Sequence, residues 1–438
     1  MSSPSRRLPP PRTPPPRRPS HAVYVRRRAV ALAAAAVLVL AAVLVFEACT
    51  HAPGSASGTR PAVATTPPTS AGDHTTGASG APSTSKPSTD PSTSPTKAHP
   101  VTHPTMPLLL DPHNVYAGDG AGDFSPAVRG VPPRVYVPNT LDGTVSVIDP
   151  ATFKVVKTIT VGGQPHHVTP SWDLRHLYVD NPGNDTLDVI DPRTVQLIRA
   201  IKVASPYNLY FTPDGTKALD VAEYDQEIQF RDPHTWKVLK TLPIPGHGVD
   251  HMDFSPHGTY LLVSDEYDGI VTRVNTKTMS VTGTIDVGGR PVDVKVAPDG
   301  SVFFVANQGL SGVSIIDPRS MKQIGFIHTG VGAHGFAVSR DGTKLYLSNR
   351  IAGTISVIPF ATRKVAATWN IGGSPDMLQV SPDGRQLWTT NRFSNTVTVI
   401  STVTGHVITQ ITVGRGPHGL CYFPEPGRYS IGHNGVYR

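Results

Sequence analysis

The sequence predicts an all-β fold, a seven-bladed β-propeller with four-stranded blades. A short apolar strand ending in Asn or a substitute recurs, and its last residues are 42, 41, 43, 42, 42 and 42 positions apart. Each period of about 42 residues contains four β-type runs separated by turn sequences, with no helix-length segment between them. The seven anchor residues are Asn139, Asn181, Ala222, Asp265, Asn307, Asn349 and Asn391.

The last repeat shows the four runs clearly. They occupy residues 376–380, 387–391, 396–400 and 407–413, and the turn Ser381-Pro382-Asp383-Gly384 separates the first two. Proline at the second and glycine at the fourth position suit a type I turn. The third run alternates and is rich in β-branched residues, as is typical of strands packed on neighbours.

The chain enters the propeller at a second strand, so the first blade lacks its innermost strand. Residues 417–423 align with the innermost runs of the other repeats. We therefore expect the C-terminal strand to close the ring in a blade shared by both ends of a domain spanning residues 107–427. Residues 428–438 are then a C-terminal tail, and Cys421 is a small buried residue.

Four recurrent elements carry a resemblance to a known family. They are Leu177-Tyr178-Val179-Asp180-Asn181, Ser381-Pro382-Asp383-Gly384, Val313-Ser314-Ile315-Ile316-Asp317-Pro318 and Val161-Gly162-Gly163-Gln164-Pro165. Together they resemble the YVTN family of β-propeller repeats. The resemblance implies a secreted or surface protein, related to the haem-binding propeller of nitrite reductases and more distantly to lactonase propellers. It does not imply a particular ligand.

The positive charge is confined to the N-terminus. Residues 1–28 carry eight Arg and no acidic residue, and the rest of the chain has 31 basic and 32 acidic residues. The net charge of +7 is therefore a property of a basic tail. We expect no nucleic-acid partner.

Residues 29–46 form an uninterrupted apolar run of 18 residues. As a helix the run would be about 27 Å long, close to the thickness of a bilayer's hydrocarbon core. The arginines before it predict a single-pass transmembrane helix with a cytoplasmic N-terminus and an extracytoplasmic propeller. Two alternatives remain open, a cleaved signal peptide and lipidation at Cys49, which Ala48 precedes.

Residues 47–106 are rich in Ser, Thr and Pro, and from residue 50 onward they contain no aromatic residue, Leu or Ile. Such a segment cannot bury enough apolar surface to fold. The sequence therefore predicts a disordered linker that holds the propeller away from the membrane.

The innermost strands of a propeller line its central channel, and polar residues recur where those strands begin. The candidate ligand-binding residues at this mouth are His166, His167, Asp250, His251, Asp293, His334, Asp376 and His418. Four of them, His334, Asp376, His418 and His166, fall on consecutive blades and form a candidate metal-binding or haem-contacting arc. The identity of any metal or cofactor stays open, because polar side chains and water alone also suit a channel mouth.

Acidic and basic residues are concentrated in different blades of the predicted ring. Residues 220–268 contain ten acidic residues, whereas residues 340–392 are rich in Arg and Lys. This pattern predicts a dipolar ring, with a candidate site for a cation or a basic partner around Asp250, His251, Asp265 and Glu266.

Catalysis has no positive sequence signal. The chain has no C-x-x-C-H haem motif and no G-x-S-x-G nucleophile elbow. We expect a membrane-anchored binding or scaffolding module for a protein or small-molecule ligand. The alternative is a cofactor- or metal-dependent enzyme, redox or lactonase-like, that uses the His/Asp residues at the mouth.

Overall fold

The computed structural model describes residues 106–433 and residue 438. It confirms the predicted fold, because these residues form seven four-stranded antiparallel sheets arranged as the blades of a propeller. Two single 3-10 turns, Pro126–Val128 and Glu223–Asp225, are the only helical elements of the described residues.

The blades are numbered in chain order, and the innermost strand of each is given first. Blade I consists of β28 (Cys421–Phe423), β1 (Arg134–Asn139), β2 (Thr144–Asp149) and β3 (Lys154–Thr160). Blade II consists of β4 (Val168–Pro170), β5 (Leu177–Asn181), β6 (Thr186–Asp191) and β7 (Gln196–Lys202). Blade III consists of β8 (Asn208–Phe211), β9 (Ala218–Ala222), β10 (Glu227–Arg231) and β11 (Val238–Pro243).

The remaining blades follow the same plan. Blade IV consists of β12 (Val249–Phe254), β13 (Tyr260–Asp265), β14 (Ile270–Asn275) and β15 (Ser280–Asp286). Blade V consists of β16 (Pro291–Val296), β17 (Phe303–Asn307), β18 (Gly312–Asp317) and β19 (Lys322–His328). Blade VI consists of β20 (Ala333–Val338), β21 (Lys344–Asn349), β22 (Thr354–Pro359) and β23 (Ala367–Asn370). Blade VII consists of β24 (Pro375–Val380), β25 (Gln386–Asn391), β26 (Thr396–Ser401) and β27 (Val407–Thr412).

Blade I joins the two ends of the propeller, as predicted. Strand β28 pairs antiparallel with β1, and Tyr136 lies opposite Cys421. The side chain of Cys421 is fully buried. Apolar side chains of this blade, including Val135 and Tyr422, pack against Trp388 of blade VII and complete the ring.

The seven anchor residues all end second strands, and in four blades the anchor side chain bonds to the third strand. The amide nitrogen of Asn349 donates hydrogen bonds to Thr354 Oγ1 at 2.9 Å and Ser356 Oγ at 3.0 Å, which ties β21 to β22. Asp265 keeps this role in an altered form, because it accepts a hydrogen bond from Thr272 Oγ1 at 2.7 Å. The anchor therefore holds the turn between the second and third strands.

The turns between first and second strands also form as expected. Gly384 N donates to Ser381 O at 2.9 Å, and the φ of Gly384 is +76°, a conformation that favours glycine. The Ser381 hydroxyl donates to Asp383 Oδ1 at 2.6 Å, which adds a side-chain bond inside the turn.

Two flanking segments cover the end of the channel where the inner strands finish. From the N-terminal side, the Tyr116 hydroxyl donates to Val296 O at 2.8 Å at the end of β16. From the C-terminal side, Tyr429 and Ile431 join the core of blades III and IV, and Arg438 forms an ion pair with Asp253 at 3.0 Å. The described part of the expected tail 428–438 is thus packed against the propeller.

No helix in residues 106–433 is long and apolar enough to cross a membrane. The predicted basic tail, the apolar run 29–46, Cys49 and nearly all of the linker 47–106 lie outside the described residues.

Candidate functional site

The mouth of the channel is the end at which innermost strands begin and second strands finish. Backbone hydrogen bonds join these two positions in each blade; for example, Arg350 N donates to Gly332 O at 2.8 Å and Gln308 N donates to Arg290 O at 2.8 Å. Residues that begin an inner strand therefore share the mouth with residues that directly follow an anchor.

An ion-pair cluster centred on Asp376 occupies one side of the mouth. The Asp376 carboxylate is fully buried and accepts a hydrogen bond from Arg350 Nη2. His418 Nδ1 lies 2.9 Å from its Oδ2, and His334 Nδ1 lies 3.0 Å from its Oδ1. Arg392 Nη1 lies 3.7 Å from Oδ2. Three blades therefore converge on one carboxylate, and we call these five side chains the basic cluster.

The cluster carries a net positive charge. Burial alone would raise the pKa of Asp376, but Arg350, His418 and His334 hold that pKa well below 3.8. Burial lowers the pKa of His334 and of His418 well below 6.5, so both imidazoles are neutral at pH 7. Two guanidinium groups thus face a single carboxylate.

Acidic side chains occupy the other side of the mouth, on blades III and IV. Tyr267 donates a hydrogen bond to Glu223 Oε1 at 2.8 Å, and Arg290 Nη2 donates to Glu266 Oε1 at 2.6 Å. Burial, together with the charges of Glu266 and Glu223, raises the pKa of Asp250 well above 3.8. The mouth therefore has a basic side and an acidic side.

His166 and His167 lie between these two sides. The ring of His166 contacts the ring of His418 at a centroid distance of 5.4 Å and that of Tyr207 at 4.9 Å. His167 is fully buried, and its Nδ1–H donates to Tyr207 O at 2.8 Å. His251, also fully buried, has its Nε2 at 3.3 Å from Asp250 Oδ1.

Two of the predicted acidic residues have structural partners. Asp293 Oδ1 accepts a hydrogen bond from Val294 N at 2.8 Å, and its Oδ2 accepts one from Phe336 N at 2.7 Å, so this carboxylate joins blade V to blade VI. Asp265 is fully buried in its anchor position and does not reach the mouth surface.

The predicted arc is brought together, since His334, Asp376, His418 and His166 lie on neighbouring blades in the expected order. The Asp376 carboxylate, however, is already bound by two arginines. Sequence reasoning missed both Arg350 and Arg392, although each directly follows an anchor asparagine. The residue that follows the anchor can be located from the sequence in every repeat.

Sequence reasoning also missed His433, which lies outside the repeats. Its ring is 4.0 Å from the ring of His167 and 5.3 Å from that of His251, measured between centroids. One ring nitrogen from each of these three histidines lies within 4.8 Å of the others, a spacing compatible with a shared metal ion. Among the described residues, these side chains form the cluster best suited to hold a metal.

Comparisons with solved structures give the fold independently. A putative 6-phosphogluconolactonase from Bacteroides uniformis has a TM-score of 0.55 at 16% identity, covering 66% of this chain and 99% of that protein. The dihydro-haem d1 dehydrogenase NirN has a TM-score of 0.53 at 14% identity, covering 69% and 77%. The hydrazine synthase of Kuenenia stuttgartiensis has a TM-score of 0.52 at 18% identity, covering 58% and 88%.

Identities this low show the fold alone. The first two structures share the propeller fold that the resemblance of the repeats predicted. No curated protein matches the chain. The model of the YNCE-like beta-propeller family, by contrast, matches residues 123–426, and the chain therefore belongs to that family.

Proposed function

We propose that the protein is a membrane-anchored, extracytoplasmic binding module whose channel mouth takes a small zwitterionic ligand, such as an amino acid or a short peptide. The observation that carries the proposal is the division of the mouth into the basic cluster and an acidic side. A carboxylate suits the two guanidinium groups, which bind such planar anions well. A cationic group suits the side formed by Glu223 and Glu266.

The exposure of these side chains supports binding at the mouth. The side chains of Arg350 and Arg392 remain 15% and 25% exposed, while Asp376 beneath them is fully buried. Glu266 is 13% exposed on the opposite side. A ligand approaching from solvent therefore meets charged groups that fixed neighbours already hold in place, which lowers the cost of ordering them.

Thermal unfolding and calorimetry of the full-length protein test the proposal with three matched probes. These are the dipeptide alanyl-alanine, the dianion succinate and the dication putrescine. We expect the dipeptide to raise the melting temperature most, because it alone can satisfy both sides.

Substituting Arg350→Ala or Arg392→Ala should remove the dipeptide effect. The exposed Arg385 provides a matched control, since Arg385→Ala removes a guanidinium away from the mouth. The proposal fails if none of the probes binds, or if the dipeptide binds equally well to the Arg350→Ala protein.

The anchoring part of the proposal rests on the apolar run 29–46 and the arginines before it. The full-length protein should stay with membranes after alkaline extraction, and protease added outside intact cells should degrade the propeller. A Cys49→Ala variant separates the lipid anchor from the transmembrane helix, because only lipidation depends on that thiol. Recovery of the protein in a soluble fraction would contradict both forms of anchoring and leave a cleaved signal peptide.

The alternative function, from a different functional class, is that of a cofactor- or metal-dependent enzyme. The observation that favours it is the group of buried histidines below the mouth. Metal binding there is the first requirement of that alternative.

A further inference from the structure

The C-terminal segment brings an imidazole into the channel from the end opposite the mouth. Its residue His433 meets His167 of blade II and His251 of blade IV, with one ring nitrogen from each within 4.8 Å of the others. We propose that His167, His251 and His433 form a binding site for a late first-row transition-metal ion, Cu(II) or Zn(II). We call it the three-histidine site.

Most of these buried ring nitrogens lack a protein partner. All three side chains have 0% exposure. His167 Nε2 and both ring nitrogens of His433 make no hydrogen bond to any described residue, whereas His251 Nε2 lies within ion-pair distance of Asp250 Oδ1, at 3.3 Å. Buried polar atoms are nearly always paired, so several unpaired nitrogens facing one space indicate a bound ion or water.

Hydrogen bonds to the other ring nitrogens orient His167 and His251. The Nδ1–H of His167 donates to the carbonyl oxygen of Tyr207, so its Nε2 carries a lone pair. Such a bond from the second ring nitrogen to a carbonyl is typical of metal-binding histidines. His251 Nδ1 lies 3.0 Å from Asn208 Nδ2 and 3.1 Å from the Tyr210 hydroxyl, which holds the ring. The Asn208 amide donates to Nδ1, so in the metal-free protein the imidazole proton is on Nε2, facing Asp250 Oδ1. Metal binding at Nε2 moves this proton to Nδ1, from which it can be donated to the Tyr210 hydroxyl oxygen.

The donor set suits a transition-metal ion. Three imidazole nitrogens suit zinc, copper and nickel, whereas magnesium and calcium prefer oxygen ligands. Burial lowers the pKa of all three histidines, that of His251 to about 3, so the rings are neutral. Neutral imidazole is the form that binds metal. Nitrogens about 2.0–2.1 Å from a tetrahedral ion are about 3.3 Å apart, so the rings must move inward slightly on binding.

The chain leaves room for the rings at a glycine of the closing blade. Gly419 lies beside them, and a Cβ at this position would come within 2.0 Å of His167 Cδ2 and 2.7 Å of His433 Cε1. The corresponding residues of the other blades are His167, Asn208, His251, Asp293, Gly335 and Met377. A bound ion would also tie the C-terminal segment to blades II and IV.

Metal titration of the full-length protein tests the three-histidine site. The protein is purified without a polyhistidine tag, stripped with chelator, and titrated with Cu(II), Zn(II) or Mg(II) by calorimetry. We expect one tight Cu(II) or Zn(II) ion per chain and no tight Mg(II). Bound ion should also protect the C-terminal segment from proteolysis.

Ligand variants locate the ion. His433→Ala and His167→Ala should each weaken binding by about 100-fold or more, since even neighbours of metal ligands change affinity 10–100-fold. His328→Ala is the matched control, because His328 is an exposed imidazole on strand β19 of blade V. Unchanged binding in His433→Ala would overturn the proposal.

A measurement on the unaltered protein covers the case in which the variants do not fold. Electron paramagnetic resonance of the Cu(II) complex counts coordinated nitrogens through their hyperfine splitting. Three or more equivalent nitrogens support the site. Fewer than three, or no stoichiometric ion at all, overturns it.

Discussion

Removing the carboxylate of Asp376 is the sharpest test of how the mouth is held together. In the folded protein this side chain is fully buried and accepts hydrogen bonds or ion pairs from blades VI, VII and I. An Asp376→Ala substitution leaves Arg350 and Arg392 facing each other without their counter-charge. We expect the fold to survive and the free energy of unfolding to fall.

The expected loss is about 3 kcal/mol. Breaking a buried ion pair by removing one partner costs about 3–5 kcal/mol, because it leaves an uncompensated buried charge. The lower end applies here, since Arg350 and Arg392 keep 15% and 25% exposure and can regain some hydration. With an unfolding entropy of about 2.1 cal/mol/K per residue over about 330 residues, this loss lowers the melting temperature by about 4 °C.

Urea unfolding of the wild type, Asp376→Ala, Arg350→Ala and the double variant measures the effect. If the unpaired charge causes the loss, the double variant should be more stable than Asp376→Ala alone, at about 1–2 kcal/mol below wild type. Two results would refute the reasoning: a loss below about 1 kcal/mol in Asp376→Ala, or a double variant in which the two losses simply add.

The same carboxylate predicts a pH dependence. Its pKa in the folded protein lies well below 3.8 because of Arg350, His418 and His334, despite the opposing effect of burial. Its stabilisation is therefore complete above the pKa of about 3.9 in the unfolded chain and is lost as the pH falls through the folded value. Asp376→Asn should lack this part of the acid destabilisation, which urea midpoints between pH 3 and pH 5 would reveal.

Three further substitutions test the repeat and its closure. Burial raises the pKa of Asp265 to about 7, so the free energy of unfolding falls as the pH rises from about 4 to 7. Asp265→Asn should remove this pH dependence and add about 1–4 kcal/mol to the free energy of unfolding at pH 8, measured by urea unfolding at about pH 4 and about pH 8. Asn349→Ala loses two hydrogen bonds, one of them buried, and should cost about 1–3 kcal/mol by the same assay, while an unchanged midpoint would show that the anchor does not hold the turn. Arg438→Ala leaves Asp253 buried without its partner and should lower the free energy of unfolding by about 3–5 kcal/mol in calorimetry; equal stability of the two proteins would argue against this ion pair.

The architecture was predictable because the residues that define the repeat interact with near neighbours in the sequence. In four blades the anchor side chain makes hydrogen bonds within its own blade, and each Ser-Pro-Asp-Gly-type turn is closed by its own residues, so a period of about 42 is visible in the sequence. The closing strand was predictable for the same reason, since residues 417–423 keep the pattern of an innermost strand.

The site was predictable only in part, because its remaining contacts are between blades or outside the repeat. The positions of His334, Asp376 and His418 follow from the repeat, and they meet as expected. That Asp293 binds the amide of Phe336 depends on the packing of adjacent blades, which residue type alone does not specify. His433 reaches the channel through a segment without a repeat, so no periodic pattern could place it.

The shared blade I also sets the order in which the ring can be completed. During synthesis the inner edge of β1 is made nearly three hundred residues before its partner β28. Val135 and Val137 are made about 250 residues before Trp388 and about 285 residues before Tyr422, against which they pack. Six blades can thus form while an open strand edge and an uncovered apolar face persist, and such edges readily pair with other chains. The three residues of β28 end that exposure, so a nascent propeller is most vulnerable to aggregation just before its last strand arrives.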